Sequence, residues 1–120
     1  MDIKLLFACI ALSFLPVSLL AKRTPPAPVA PVSSAGVRYS AAGDGRDQYI
    51  VATETSTDKV LWKVRVFHNQ IDSRLEEDVQ WVFITKLKLQ GKALFVKDEK
   101  SRCYSVDLTS KEVTRQGCSK

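Results

Sequence analysis

From Val37 onward, apolar and polar positions alternate with period two. In residues 60–66, Val60, Trp62, Val64 and Val66 fall on one face, and Lys63 and Arg65 on the other. That alternation predicts a half-buried strand. Phe67 continues the Lys63 and Arg65 face and is expected to be exposed beside them, with His68 closing the strand. In residues 79–89, Val79, Trp81, Phe83, Leu87 and Leu89 share a face with Thr85 among them. Val82 and Ile84 make the opposite face partly apolar as well, which predicts a central strand. Further strands are predicted at 49–55, 93–98 and 102–108, with weaker ones at 37–40 and 112–115.

The connections between these segments are short. Ser56 to Lys59, Gln90 to Lys92, Asp98 to Ser101 and Thr109 to Lys111 are predicted as tight turns, with Gly91 able to take positive φ. In the longer stretch, Asp72 and Ser73 precede Arg74, Leu75, Glu76, Glu77 and Asp78, a cap followed by acids that predicts one short helical turn. Sequential strands joined by hairpins make the expected fold mainly β: a small antiparallel meander of about 5–7 strands. A weak repeat supports this, because residues 54–60 and 107–113 both read acid, turn, polar residue, valine.

The repeat carries a family resemblance. Residues 51–64, with Ala52, Thr53, Glu54, Thr57, Lys59, Val60, Leu61 and Trp62, resemble the hairpin of quinoprotein-type β-propeller blades, and residues 94–96 with 104–108 resemble the other half of a blade. Asp58 and Lys111 stand where the blade pattern has glycine. The chain is also similar to short exported bacterial proteins of uncharacterised role that share its layout. The resemblance implies propeller-blade-like hairpins. It implies no quinone cofactor, since a propeller needs about four or more blades around a channel.

The N-terminal residues set the compartment. Lys4 precedes an apolar run from Leu5 to Leu15, and a small-residue stretch ends at Ala21, so residues 1–21 are expected to be a cleaved signal peptide. All five prolines lie before residue 32. Residues 22–36 are therefore expected to be an extended proline-rich linker, and 37–120 the β domain. Export to a periplasm or the exterior permits a disulfide between Cys103 and Cys118, with two reduced thiols as the alternative. A hairpin centred on Ser110 would place Cys103 opposite Gly117 and leave Cys118 one position out of register.

Charge excludes some partners. The whole chain is +5, but residues 37–120 carry 15 Lys and Arg against 12 Asp and Glu, with the signs interspersed. No basic stripe marks a nucleic-acid footprint, and membrane contact is expected only through the leader before cleavage. The only histidine, His68, has no glycine-flanked nucleophilic serine to serve, so no catalytic residue is assigned. Asp72, Glu76, Glu77 and Asp78 are the one acidic cluster, a weak metal candidate that lacks the glycine and spacing of a calcium loop. Lys63, Arg65, Phe67 and His68 form the candidate binding surface. Trp62, Trp81, Phe83 and Tyr104 read as core, with both tryptophans on neighbouring strands. The expected function is a non-enzymatic binding or envelope-associated module with no cofactor, its partner a protein or envelope component. The alternative is a small metal-dependent or hydrolytic factor using His68 and the loop acids.

Overall fold

The computed structural model describes residues 26–118. The expected leader and the first residues of the linker lie outside them. The fold is mainly β and antiparallel throughout, as the alternation predicts. Its strands are β1 (Val32–Ser34), β2 (Val37–Gly43), β3 (Asp47–Glu54), β4 (Val60–His68), β5 (Ile84–Gln90), β6 (Ala93–Asp98), β7 (Cys103–Asp107) and β8 (Val113–Gln116). They divide into two four-stranded meanders, β1-β2-β3-β4 and β5-β6-β7-β8. A period-two pattern identifies strands but not which sheet each one joins.

The two sheets bury their apolar faces against each other. Tyr39, Ile50, Ala52 and Val66 from the first meet Ile84, Leu87, Leu94, Val96, Tyr104 and Val106 from the second in one core. Two polar side chains also tie the sheets together. The buried Gln48 carboxamide accepts the Ile84 N–H at 3.1 Å. The buried Asn69 amide donates to the Gly45 and Val82 carbonyls. Both pairings satisfy groups that would otherwise be stranded away from water.

The repeat seen in the sequence is a repeat of turn geometry. Glu54 N–H donates to Lys59 O and Asp58 N–H to Glu54 O; Asp107 N–H donates to Glu112 O and Lys111 N–H to Asp107 O. Asp58 (φ 63°) and Lys111 (φ 65°) both take the left-handed conformation that glycine adopts most readily.

Four expectations are corrected. First, folded structure begins at Val32, inside the stretch expected to be linker: Val32 pairs with Tyr39, and Val29 packs on the core. Second, residues 79–83 are not strand. Asp78–Gln80 forms a 3-10 turn, Val79 is 61 % exposed, and β5 begins only at Ile84. Trp81 leaves the alternation because its indole lies against Gly45, whose Cα leaves no room for a Cβ beside the ring. Third, β5 is an edge strand of its sheet, not a central one. Its apolar start is covered by β1 and β2 of the other sheet. Fourth, the helical turn lies later than the cap residues predict. Asp72 Oδ1 accepts the Arg74 N–H and Asp72 O the Leu75 N–H in a single tight turn, and the Gln80 side chain bonds Asp72 N–H and O and Glu76 O, so the chain does not continue as helix there.

Candidate binding surface

Strand β4 positions the residues the sequence singles out. Its pairing with β3 runs Gln48 to Phe67 and then Tyr49 to Arg65, which leaves Val66 as an extra residue, a β-bulge. A one-residue slip moves every later side chain to the other face. Phe67 is thereby turned inward, onto Tyr104, with ring centroids 5.3 Å apart. It does not sit beside Lys63 and Arg65, and nothing in a period-two pattern signals the bulge.

Lys63, Arg65 and His68 do share the outer face of β4, but each has a partner there. His68 Nδ1 is 2.8 Å from Asp47 Oδ1, and Arg65 donates to the same oxygen at 3.2 Å. Lys63 Nζ lies 4.3 Å above the Tyr49 ring. Two strands over, on β2, Arg38 is paired with Asp58 at 3.2 Å.

Two of the four loop acids, Asp72 and Glu77, are likewise paired with arginines. Arg74 forms a two-point contact with Asp72 through Nε and NH2. That bonding holds the Asp72 carboxyl below its ordinary range. Arg46 clasps both oxygens of Glu77 at 2.6 Å, and Trp81 Nε1 donates to the same carboxylate. The Arg46 hydrogen bonds, then the indole, lower the Glu77 pKa to about 2 from 4.5. Among the described residues no three His, Cys, Asp or Glu side chains converge as a metal site. An apolar groove of about 250 Å³ lies under residues 26–29, lined by Ala41, Gly43, Gln48, Phe83 and Ile84 and by no titratable side chain.

Among the described residues one carboxylate is buried: Asp98 is 1 % exposed at the end of β6. It accepts from Lys100 N–H, Arg102 N–H, Arg102 Nε and Tyr104 OH at 2.8 to 3.0 Å. Burial pushes its pKa up, but the bonds from Arg102, Tyr104 and Lys100 outweigh that and hold it below the ordinary value. Every oxygen is engaged in shaping the β6–β7 turn, so Asp98 is a structural acid.

The cysteines are joined. Cys103 and Cys118 form a disulfide with Cα atoms 5.4 Å apart. The hairpin register differs by one from the expectation: Cys103 faces Gln116, not Gly117. Cys118 is therefore two positions beyond the partner of Cys103, on the same face, and the bridge closes diagonally. The bond fits an oxidising compartment.

No protein-family model matches the chain, and no curated protein matches it in sequence.

The second sheet holds a surface that sequence reasoning missed. Leu87, Leu89, Leu94, Val96, Tyr104 and Val106 turn inward, so the alternating positions Lys86, Lys88, Phe95, Lys97 and Ser105 turn outward. Lys86 stands directly opposite Lys97, and Lys88 opposite Phe95. Among the described residues, no ion pair involves these three lysines. Asp98 follows Lys97 in sequence but points into the turn. Asp107, the acid on the outer face of β7, is occupied by the Thr109 and Ser110 amides. Signs that are interspersed along the chain are thus sorted in space. The Lys86 and Lys88 spacing, read with Lys97, is the signal that a strand-pairing argument could have used.

Proposed function

We propose that the chain is an exported, non-enzymatic binding module that docks an anionic component of the cell envelope through the outer face of β5–β8. The carrying observation is the cross-strand pair Lys86 and Lys97. Like charges directly opposite on one face destabilise a sheet, and no carboxylate among the described residues forms an ion pair with either lysine. An arrangement that weakens the folded state is explained when an anion supplies the missing charge. Export rests on the leader pattern of residues 1–21 and on the disulfide.

The catalytic alternative has little to stand on. His68 bonds Asp47, while the loop acids Glu77 and Asp72 bond Arg46 and Arg74, so these groups are held by different partners. Retention on a dextran sulfate column tests the proposal. The protein is expected to need salt for elution, and the triple variant Lys86→Gln, Lys88→Gln, Lys97→Gln to elute earlier with a shallower salt dependence. The paired variant Lys63→Gln, Arg65→Gln should elute close to the parent. Elution of the triple variant together with the parent would refute the reading.

A further inference from the structure

The outer face of β5–β8 has more structure than a patch of charge. Hydrogen-bonded register places Lys88, Phe95, Ser105 and Thr114 in one row across all four strands. The adjacent row begins with Lys86 and Lys97 and ends with Gln116 beyond the disulfide. Strands lie about 4.8 Å apart, so the first row is a track of about 14 Å running perpendicular to them. Along it come an ammonium, an aromatic ring, and two hydroxyls. Lys88 and Thr114 are exposed, and Phe95 and Ser105 are partly exposed.

We infer that this track binds a linear acidic polysaccharide, one whose sugar units carry carboxylates. The inference rests on the proposed docking function and names its ligand. Each side chain in the row matches one part of such a chain. The electron-rich face of Phe95 takes the C–H face of a sugar ring. Ser105 and Thr114 hydroxyls both donate and accept, as sugar hydroxyls require. The Lys88 ammonium, with those of Lys86 and Lys97 in the adjacent row, meets carboxylates, and lysine suits a ligand whose charges differ in orientation from unit to unit, because it acts as a rotatable point charge.

Other polyanions fit this row less well. An acidic peptide would gain from the lysines but has no apolar ring face for Phe95. An anionic bilayer would favour lysines around a fully exposed aromatic, whereas Phe95 lies between Lys88 and Ser105 in the row and is only partly exposed. A second copy of this chain is disfavoured, because its own β4 face presents Lys63 and Arg65.

Titration of the full protein with an alginate oligosaccharide, followed by calorimetry, tests the inference. Polyglutamate and vesicles containing phosphatidylglycerol serve as the other two probes. The oligosaccharide is expected to bind at least ten times more tightly than polyglutamate. Phe95→Ala should weaken alginate at least tenfold and leave polyglutamate unchanged. Ser105→Val is a second variant that keeps the strand and removes only a hydroxyl, and it should weaken alginate several-fold. Equal binding of alginate and polyglutamate, or preference for vesicles, would overturn the polysaccharide assignment while leaving the docking function in place. Failure of all three probes to bind would overturn both.

Discussion

Phe67 stacks on Tyr104 across the sheet interface, ring centroids 5.3 Å apart and planes 20° from parallel. The contact joins the last turn of alternation in the first sheet to the middle of the second. Arg102 approaches the Phe67 ring at 5.9 Å and Arg115 the Tyr104 ring at 5.5 Å, so the stack is flanked by cations.

Phe67→Ala should therefore behave as a core truncation. The expected loss is about 3 kcal/mol, at the lower end for phenylalanine because the ring is only part-buried. Urea unfolding followed by tryptophan fluorescence measures it. A loss below about 0.5 kcal/mol is what a surface aromatic would give.

Gly45→Ala should be at least as damaging. Gly45 has φ +94°, and a Cβ there would collide with the Trp81 ring. Backbone strain and overpacking then act together, for an expected cost of about 3 kcal/mol. In a domain of this size that lowers the melting temperature by roughly 12 °C or more. Gly91→Ala makes the comparison: φ is +63°, no atom lies within 4 Å of the added methyl, and only the strain remains.

Reduction of the Cys103–Cys118 bond should cost about 3 kcal/mol, the chain-entropy value for a 15-residue loop. Paired melting curves with and without reductant give the number. Alkylation without reductant should label neither thiol. Labelling of both would show that the bond does not form in solution.

The Arg46–Glu77 pair predicts an acid limb of stability. The folded Glu77 pKa of about 2 lies below the ordinary 4.5. A depressed folded pKa contributes stability that is fully present above the unfolded value and lost as pH falls through the folded one. Melting temperature should hold steady above about pH 5 and fall between pH 4.5 and 2. Arg46→Gln should flatten part of that fall, since it removes the largest cause of the shift. An identical pH profile in the variant would mean that the pair contributes nothing to the limb.

Much of this architecture was legible in the chain. Residues 93–98, a short apolar run bounded by turn residues, form β6 with those bounds. Asp58 and Lys111, which stand where the blade pattern that the hairpins resemble has glycine, are both left-handed. The misses have a common physical source: pattern rules assume an unbroken ladder. The Val66 bulge reverses the phase for Phe67, and the Gly45–Trp81 contact pulls residues 79–83 out of a strand that their alternation describes well. The lysine face went unseen for a related reason. Net charge along the sequence averages the signs, whereas the sheet sorts Lys86, Lys88 and Lys97 outward and Asp98 inward.

The meander order has a consequence for how the chain acquires its shape. Every strand pairs with its neighbour in sequence, so each ladder can zip from a hairpin without waiting for a distant segment. The first sheet has all its strands once His68 is in place, yet the inner sides of Tyr39, Ile50 and Ala52 stay bare until β5–β8 arrive. The vulnerable species on the folding route is thus the half-finished chain: a complete sheet with a sticky face, for which a second such sheet is the nearest wrong partner.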